Sequence, residues 1–175
     1  MIETSALFRT LLASDHTCEV KVTVAGTDYG MDALTSLRIH REVFGGGSPE
    51  LGLAPSAEIT LSLYADSADV PRMAELRPYV RLRSGSTVSE WIPRGVFYTD
   101  TRESDSSGLL TLRGYDAMLK ADRGQPYSAL SWPALDTDVV SEIAGILGVS
   151  VDTRTAALMT GAYSIPMPAQ YTMRE

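Results

Sequence analysis

Cysteine is almost missing from this 175-residue chain: Cys18 stands alone, so no disulfide framework can form within it. That usage suits folding in a reducing cytoplasm. Histidine is nearly as scarce, with only His16 and His40 to offer imidazole chemistry. Every apolar run is far shorter than the ~20 residues of a helical membrane span, so no membrane anchor is expected. The opening MIETSALFRTLLASD has no basic start leading into a long apolar stretch, the pattern of a secretory signal. Positive charge is also in deficit, 15 Lys and Arg against 22 Asp and Glu, for a formal net charge of -7. Proteins that grip nucleic acid by neutralising phosphates show the opposite balance, so tight nucleic-acid binding is disfavoured. Arg77, Arg81 and Arg83 come closest to a basic stripe, but they stand in the polar positions of an ordinary strand.

What the chain does have is apolar content, 44% of its residues, enough for a packed core. Its patterning is mostly of period two. Val20, Val22 and Val24 alternate with Lys21 and Thr23, and the turn-forming residues Gly26 to Gly30 follow. A return strand is predicted near Leu34 to Val43. The cleanest alternation is AEITLSLYA, with Ile59, Leu61 and Leu63 on one face and Glu58, Thr60 and Ser62 on the other. YVRLRSG, EWIPRGVFYTDTRESD and GLLTLRGY continue it, with turns at Ser84 to Ser86 and Ser104 to Gly108. Pro93 cannot donate to a ladder, which places it at a strand start or a sheet edge. Six strands between Cys18 and Tyr115 predict a small antiparallel β-barrel or sandwich.

Helical signals flank these strands. Ala6 to Ser14 carries Leu7, Leu11 and Leu12 at helical spacing, with Thr4 or Ser5 available as cap. In LTLRGYDAMLKAD a strand runs directly into a short helix; Gly114 is read as the bend and Asp116 as the cap, so that Met118 and Leu119 lie back on the sheet. After a proline-bearing connector, Val139, Val140, Ile143, Ile146 and Leu147 form one helical face ending at Gly148, and a strand is predicted over Val149 to Val151. Thr172 and Glu175 have capping-box spacing at the very end, which suggests the front piece of a longer protein. The expected organisation is a β-domain over residues 1–124, then a linker and the start of an α/β domain over residues 125–175. The fold class is therefore mainly β with α.

Catalytic and metal constellations are not evident. Asp15, His16 and Cys18 lack the second ligand pair of a zinc site. Gly45 to Ser48 is not followed by the Lys-Ser or Lys-Thr of a P-loop, and no serine sits in a nucleophile elbow. Asp100, Glu103 and Asp105 lack EF-hand spacing and read as a solvated hairpin end. Trp91, Phe97 and Tyr98 offer a sugar-stacking platform, against a default of core and interface packing. No enzyme activity, catalytic residue, metal or cofactor is expected.

The run EWIPRGVFYTDTRESDSSGLLTLRGYDAMLKAD, Glu90 to Asp122, resembles the N-terminal region of phage and prophage tail baseplate hub proteins. ELGLAPSAEITLSLY, DVVSEIAGILGV and YSIPMPAQYTMRE are similar to further parts of that family, and the ordered combination carries the specificity. The resemblance implies a virion structural protein, assembled in the bacterial cytoplasm and located in the tail. Its partners would be further copies of itself, in a trimeric ring for the full-length protein, with the tail tube above and spike or fibre proteins below. It also implies an assembly surface on the barrel strands and the Gly45 to Gly52 loop, and an acidic lumen that passes DNA without binding it. The alternatives are a carbohydrate-binding or fibre-adaptor β-domain, and the non-catalytic front of a tail-associated lytic enzyme. If the Met118 helix protects the core of the sheet, Met118→Asp lowers the thermal melting temperature; unchanged melting shows that it does not.

Overall fold

The computed structural model describes residues 4–42, 55–65, 70–121 and 130–166. They divide into two compact units, Met1–Asp116 and Ala117–Glu175. The first unit holds a helix, α1 (Ala6–Leu12), and nine strands: β1 (Thr17–Val24), β2 (Thr27–Tyr29), β3 (Leu34–His40), β4 (Glu58–Tyr64), β5 (Glu75–Ser84), β6 (Thr87–Val88), β7 (Ile92–Pro93), β8 (Phe97–Ser104) and β9 (Leu109–Tyr115). Seven of them run in the order β2-β1-β5-β8-β9-β4-β3, and β6 and β7 pair with β5. Every ladder is antiparallel.

Period-two patterning turns directly into burial. On β4, Ile59, Leu61 and Leu63 are completely buried while Thr60 and Ser62 on the opposite face stay half-exposed. Val22 and Val24 of β1, Leu76 of β5, Phe97 of β8 and Leu110 and Leu112 of β9 join them in one core cluster. Each such side chain contributes about 1.5–3 kcal/mol relative to exposure. Strands far apart along the sheet, β1 and β4, thus share one interior, so the sheet curls with its apolar face inward. At one end α1 adds Leu11, also buried, and packs on β5. Ser5 caps that helix by accepting the Phe8 N–H, and both its own N–H and hydroxyl donate to the Glu90 carboxylate, at 2.7 and 2.6 Å.

The mainly β class is as the alternation implied, but the barrel does not close. β2 and β3 end the path, and no ladder joins them among the described residues. β2 is only three residues long with Thr27 and Asp28 exposed, too short and too polar an edge to complete a ring. Among the described residues nine strands stand where six were expected, because β2, β6 and β7 are too short to show a period. Pro93 lies in β7, which pairs on β5 opposite Tyr79.

Gly114 does not serve as a bend. It sits within β9, buried, opposite Thr99 and Ile59. A Cβ there would lie 2.5 Å from the Tyr98 carbonyl oxygen and 3.2 Å from Leu76 Cδ1. Only glycine allows β8, β9 and the Leu76 side chain to approach so closely. Asp116 secures the end of that strand: its Oδ2 accepts the Ala57 N–H at 2.9 Å, and its own N–H donates to the Ala57 carbonyl at 3.0 Å.

The second unit contains α2 (Met118–Ala121), β10 (Ala134–Leu135), α3 (Asp136–Leu147), α4 (Thr153–Leu158) and β11 (Ser164–Ile165). β10 and β11 form a two-stranded antiparallel ladder. Gly148 ends α3 in the left-handed conformation, as its position implied. The strand expected at Val149 to Val151 is absent. Asp152 instead accepts the Arg154 N–H and starts α4, which draws the chain into a helix just where a strand would continue. The predicted capping box at Thr172 and Glu175 lies outside the described residues. Gly114→Ala should lower the unfolding free energy by about 1–3 kcal/mol through overpacking, measured by urea denaturation.

Candidate functional site

The outward face of β1 and β5 carries a connected set of charged and aromatic side chains. Antiparallel register sets Glu19 opposite Arg81 and Lys21 opposite Tyr79. Glu19 accepts from Arg81 Nε at 2.6 Å and from Arg83 Nε, so one carboxylate joins two guanidinium groups. Those bonds, from Arg83 first and Arg81 second, hold the Glu19 carboxyl below its ordinary pKa of 4.5. Lys21 pairs with Asp28 at 2.6 Å, which likewise lowers the Asp28 pKa. Trp91 lies against the same cations: Arg81 is 4.3 Å and Lys21 5.2 Å from its ring centroid. Such stacking is cation–π attraction added to apolar cover.

This arrangement separates the three aromatics that a sugar platform would need together. Phe97 is withdrawn into the core, only 1% exposed, while its strand neighbour Tyr98 points to the opposite face. Trp91 is already engaged by Arg81 and Lys21. The acidic hairpin is also committed to its own turn. Asp105 Oδ1 accepts from the Ser107 N–H at 2.8 Å, the Ser107 hydroxyl at 2.6 Å and the Leu109 N–H at 3.0 Å, so this oxygen closes the β8–β9 connection. Glu103 is exposed, and Asp100 stands at a bulge between Thr99 and Thr101.

The two histidines stand in separate surroundings. His16 is exposed and bonded through Nδ1 to the Ser14 carbonyl at 2.7 Å, two residues before the exposed thiol of Cys18. His40 lies 3.4 Å from Glu42 and lines a shallow polar groove of about 440 Å³ with Ser36, Arg38, Glu58 and Thr60. Glu58 is held there by Arg113 at 2.8 Å, which lowers its pKa. Among the described residues no group of three or more His, Cys, Asp or Glu side chains converges as a metal site would require. No described helix is long and apolar enough to cross a membrane. The Gly45 to Ser48 segment and the wider Gly45 to Gly52 loop lie outside the described residues.

A second cluster escaped sequence reasoning. Arg41, Arg77 and Arg94 border one recess beside the β7–β8 connection. They come from three distant segments, and no spacing in the sequence announces their meeting. Comparison with known proteins adds no assignment: no protein-family model matches the chain, and no curated protein matches it in sequence.

The Glu19 pairs generate a pH dependence of defined sign. A depressed native pKa means that Glu19 binds its proton more weakly when folded, so its stabilisation is present above pH 4.5 and disappears as pH falls through the lowered native value. Glu19→Gln should therefore melt below the wild type at pH 7. The gap, small because the pairs are partly exposed, should close on acidification. Melting curves recorded from pH 7 down to below that native value measure it.

Proposed function

We propose that the chain is a structural component of a phage or prophage tail, part of the baseplate hub that joins the tail tube to spike or fibre proteins. The ordered motif series from Glu90 to Asp122 carries this reading. Its first two parts, GVFY and the acidic hairpin, fall on the β7–β8 connection, β8 and the turn into β9. β8 pairs with both β5 and β9 in a curled antiparallel sheet, a scaffold suited to presenting broad polar faces to neighbouring subunits.

The chemistry of the outward faces supports an assembly role over a catalytic one. Paired charges at Glu19, Lys21, Glu58 and Arg113 give a polar, charge-patterned surface of the kind that sets register and orientation between protein partners. Self-association into a ring and contact with tube and spike proteins are the partners that follow. The acidic balance of the whole chain suits a channel along which DNA passes without adhering.

Reconstitution tests the assignment. The full-length protein, mixed with purified tail tube and spike proteins, should form a ring-bearing complex visible by size-exclusion chromatography with light scattering and by negative-stain microscopy. A protein that stays monomeric and joins neither tube nor spike sinks the assignment.

A further inference from the structure

Where the end of β3 meets the β7–β8 connection there is an open recess of about 260 Å³. Arg41, Arg77 and Arg94 line it, with Tyr79, Pro93 and Val96. In a chain of net charge -7, three arginines around one recess concentrate positive charge locally. Glu75 neutralises one of them by pairing with Arg77. Among the described residues no carboxylate pairs with Arg41 or Arg94, so no ion pair offsets their charge beside the recess.

The backbone holds this arrangement in place. Arg41 donates through its guanidinium to the Arg94 carbonyl, which brings the end of β3 against the loop. Gly95 makes the contact possible: its φ is +123°, and a Cβ would stand 2.7 Å from the Arg41 guanidinium and 3.1 Å from the Phe97 ring. Any side chain at that position would displace Arg41.

The lining sets arginine side chains beside mostly apolar surface. Guanidinium groups bind carboxylates through parallel N–H donors, and the planar fork loses little freedom in doing so. The remaining wall is the Tyr79 ring, Pro93 and the exposed side chain of Val96, which suits an apolar group beside the charge. We propose that this recess binds a carboxylate flanked by an apolar side chain, an Asp or Glu next to a hydrophobic residue on an acidic partner protein. The inference stands on this geometry alone and is independent of the tail-hub assignment.

Side-chain Nε–Hε NMR signals of the 175-residue protein provide the test. The probe is the peptide acetyl-Leu-Glu-Leu-amide, with its Gln counterpart and inorganic phosphate titrated separately at matched ionic strength. The Glu peptide should shift the Arg41, Arg77 and Arg94 signals saturably. Arg94→Gln should weaken that binding about tenfold or more, with melting unchanged because Arg94 is exposed. Arg83→Gln, which alters a guanidinium committed to Glu19, should leave the affinity as it is. Equal binding of the Gln peptide, tighter binding of phosphate, or no saturation with the Glu peptide overturns the proposal.

Discussion

Two residue pairs join the halves of the large sheet: Glu75 with Tyr98, and Leu76 with Phe97. On one side of that junction β1, β2, β6 and β7 depend on β5; on the other, β9, β4 and β3 follow from β8. So short a ladder would be weak alone. It is reinforced by buried Thr99, whose N–H and hydroxyl both donate to the Ala74 carbonyl, at 2.9 and 3.2 Å, while its own carbonyl accepts the Met73 N–H at 2.9 Å. Leu76 and Phe97 also direct their side chains into the common core, so the same residues that connect the halves fill the space between them. The tight approach over Gly114 belongs to this same spot, since Tyr98 and Leu76 are the neighbours that a side chain there would strike.

The strands that sequence reading recovered are those with one wet and one dry face. Ile59, Leu61 and Leu63 announce β4 because each meets the core directly, and Leu110 and Leu112 do the same for β9. Ser104 to Gly108 was legible as a turn for a chemical reason, since Asp105 builds it with its own carboxylate. β6 and β7 left no trace in the pattern because two residues cannot display a period. The choice between barrel and sandwich is not legible for a related reason: alternation reports which face is buried, whereas closing a ring depends on the length and edge chemistry of β2 and β3. At Val149 to Val151 the apolar residues were real but the following Asp152 cap decided the conformation.

Functional groups were harder to read than strands. Trp91, Phe97 and Tyr98 look alike in sequence, yet strand geometry sends Phe97 to the core and Tyr98 to the opposite face, and cations cover Trp91. Conversely, nothing in the sequence links Arg41, Arg77 and Arg94, which the fold brings to the border of one recess. Glu19 shows the same effect in miniature: its two arginine partners are more than 60 positions away, brought alongside by the β1–β5 register.

That register has a bearing on how the protein is made. Thr17 of β1 bonds to the Arg83 carbonyl across 66 positions, and Glu58 of β4 reaches Arg113 across 55. Pairings of such span require long loops to close before any contact rewards them, the condition for slow folding. A nascent chain emerging from the ribosome would hold β1 through β4 without their central partners until β5 and then β9 are synthesised. The edges that are later sealed inside the sheet are open to solvent during that interval, when they can pair with strands of other chains.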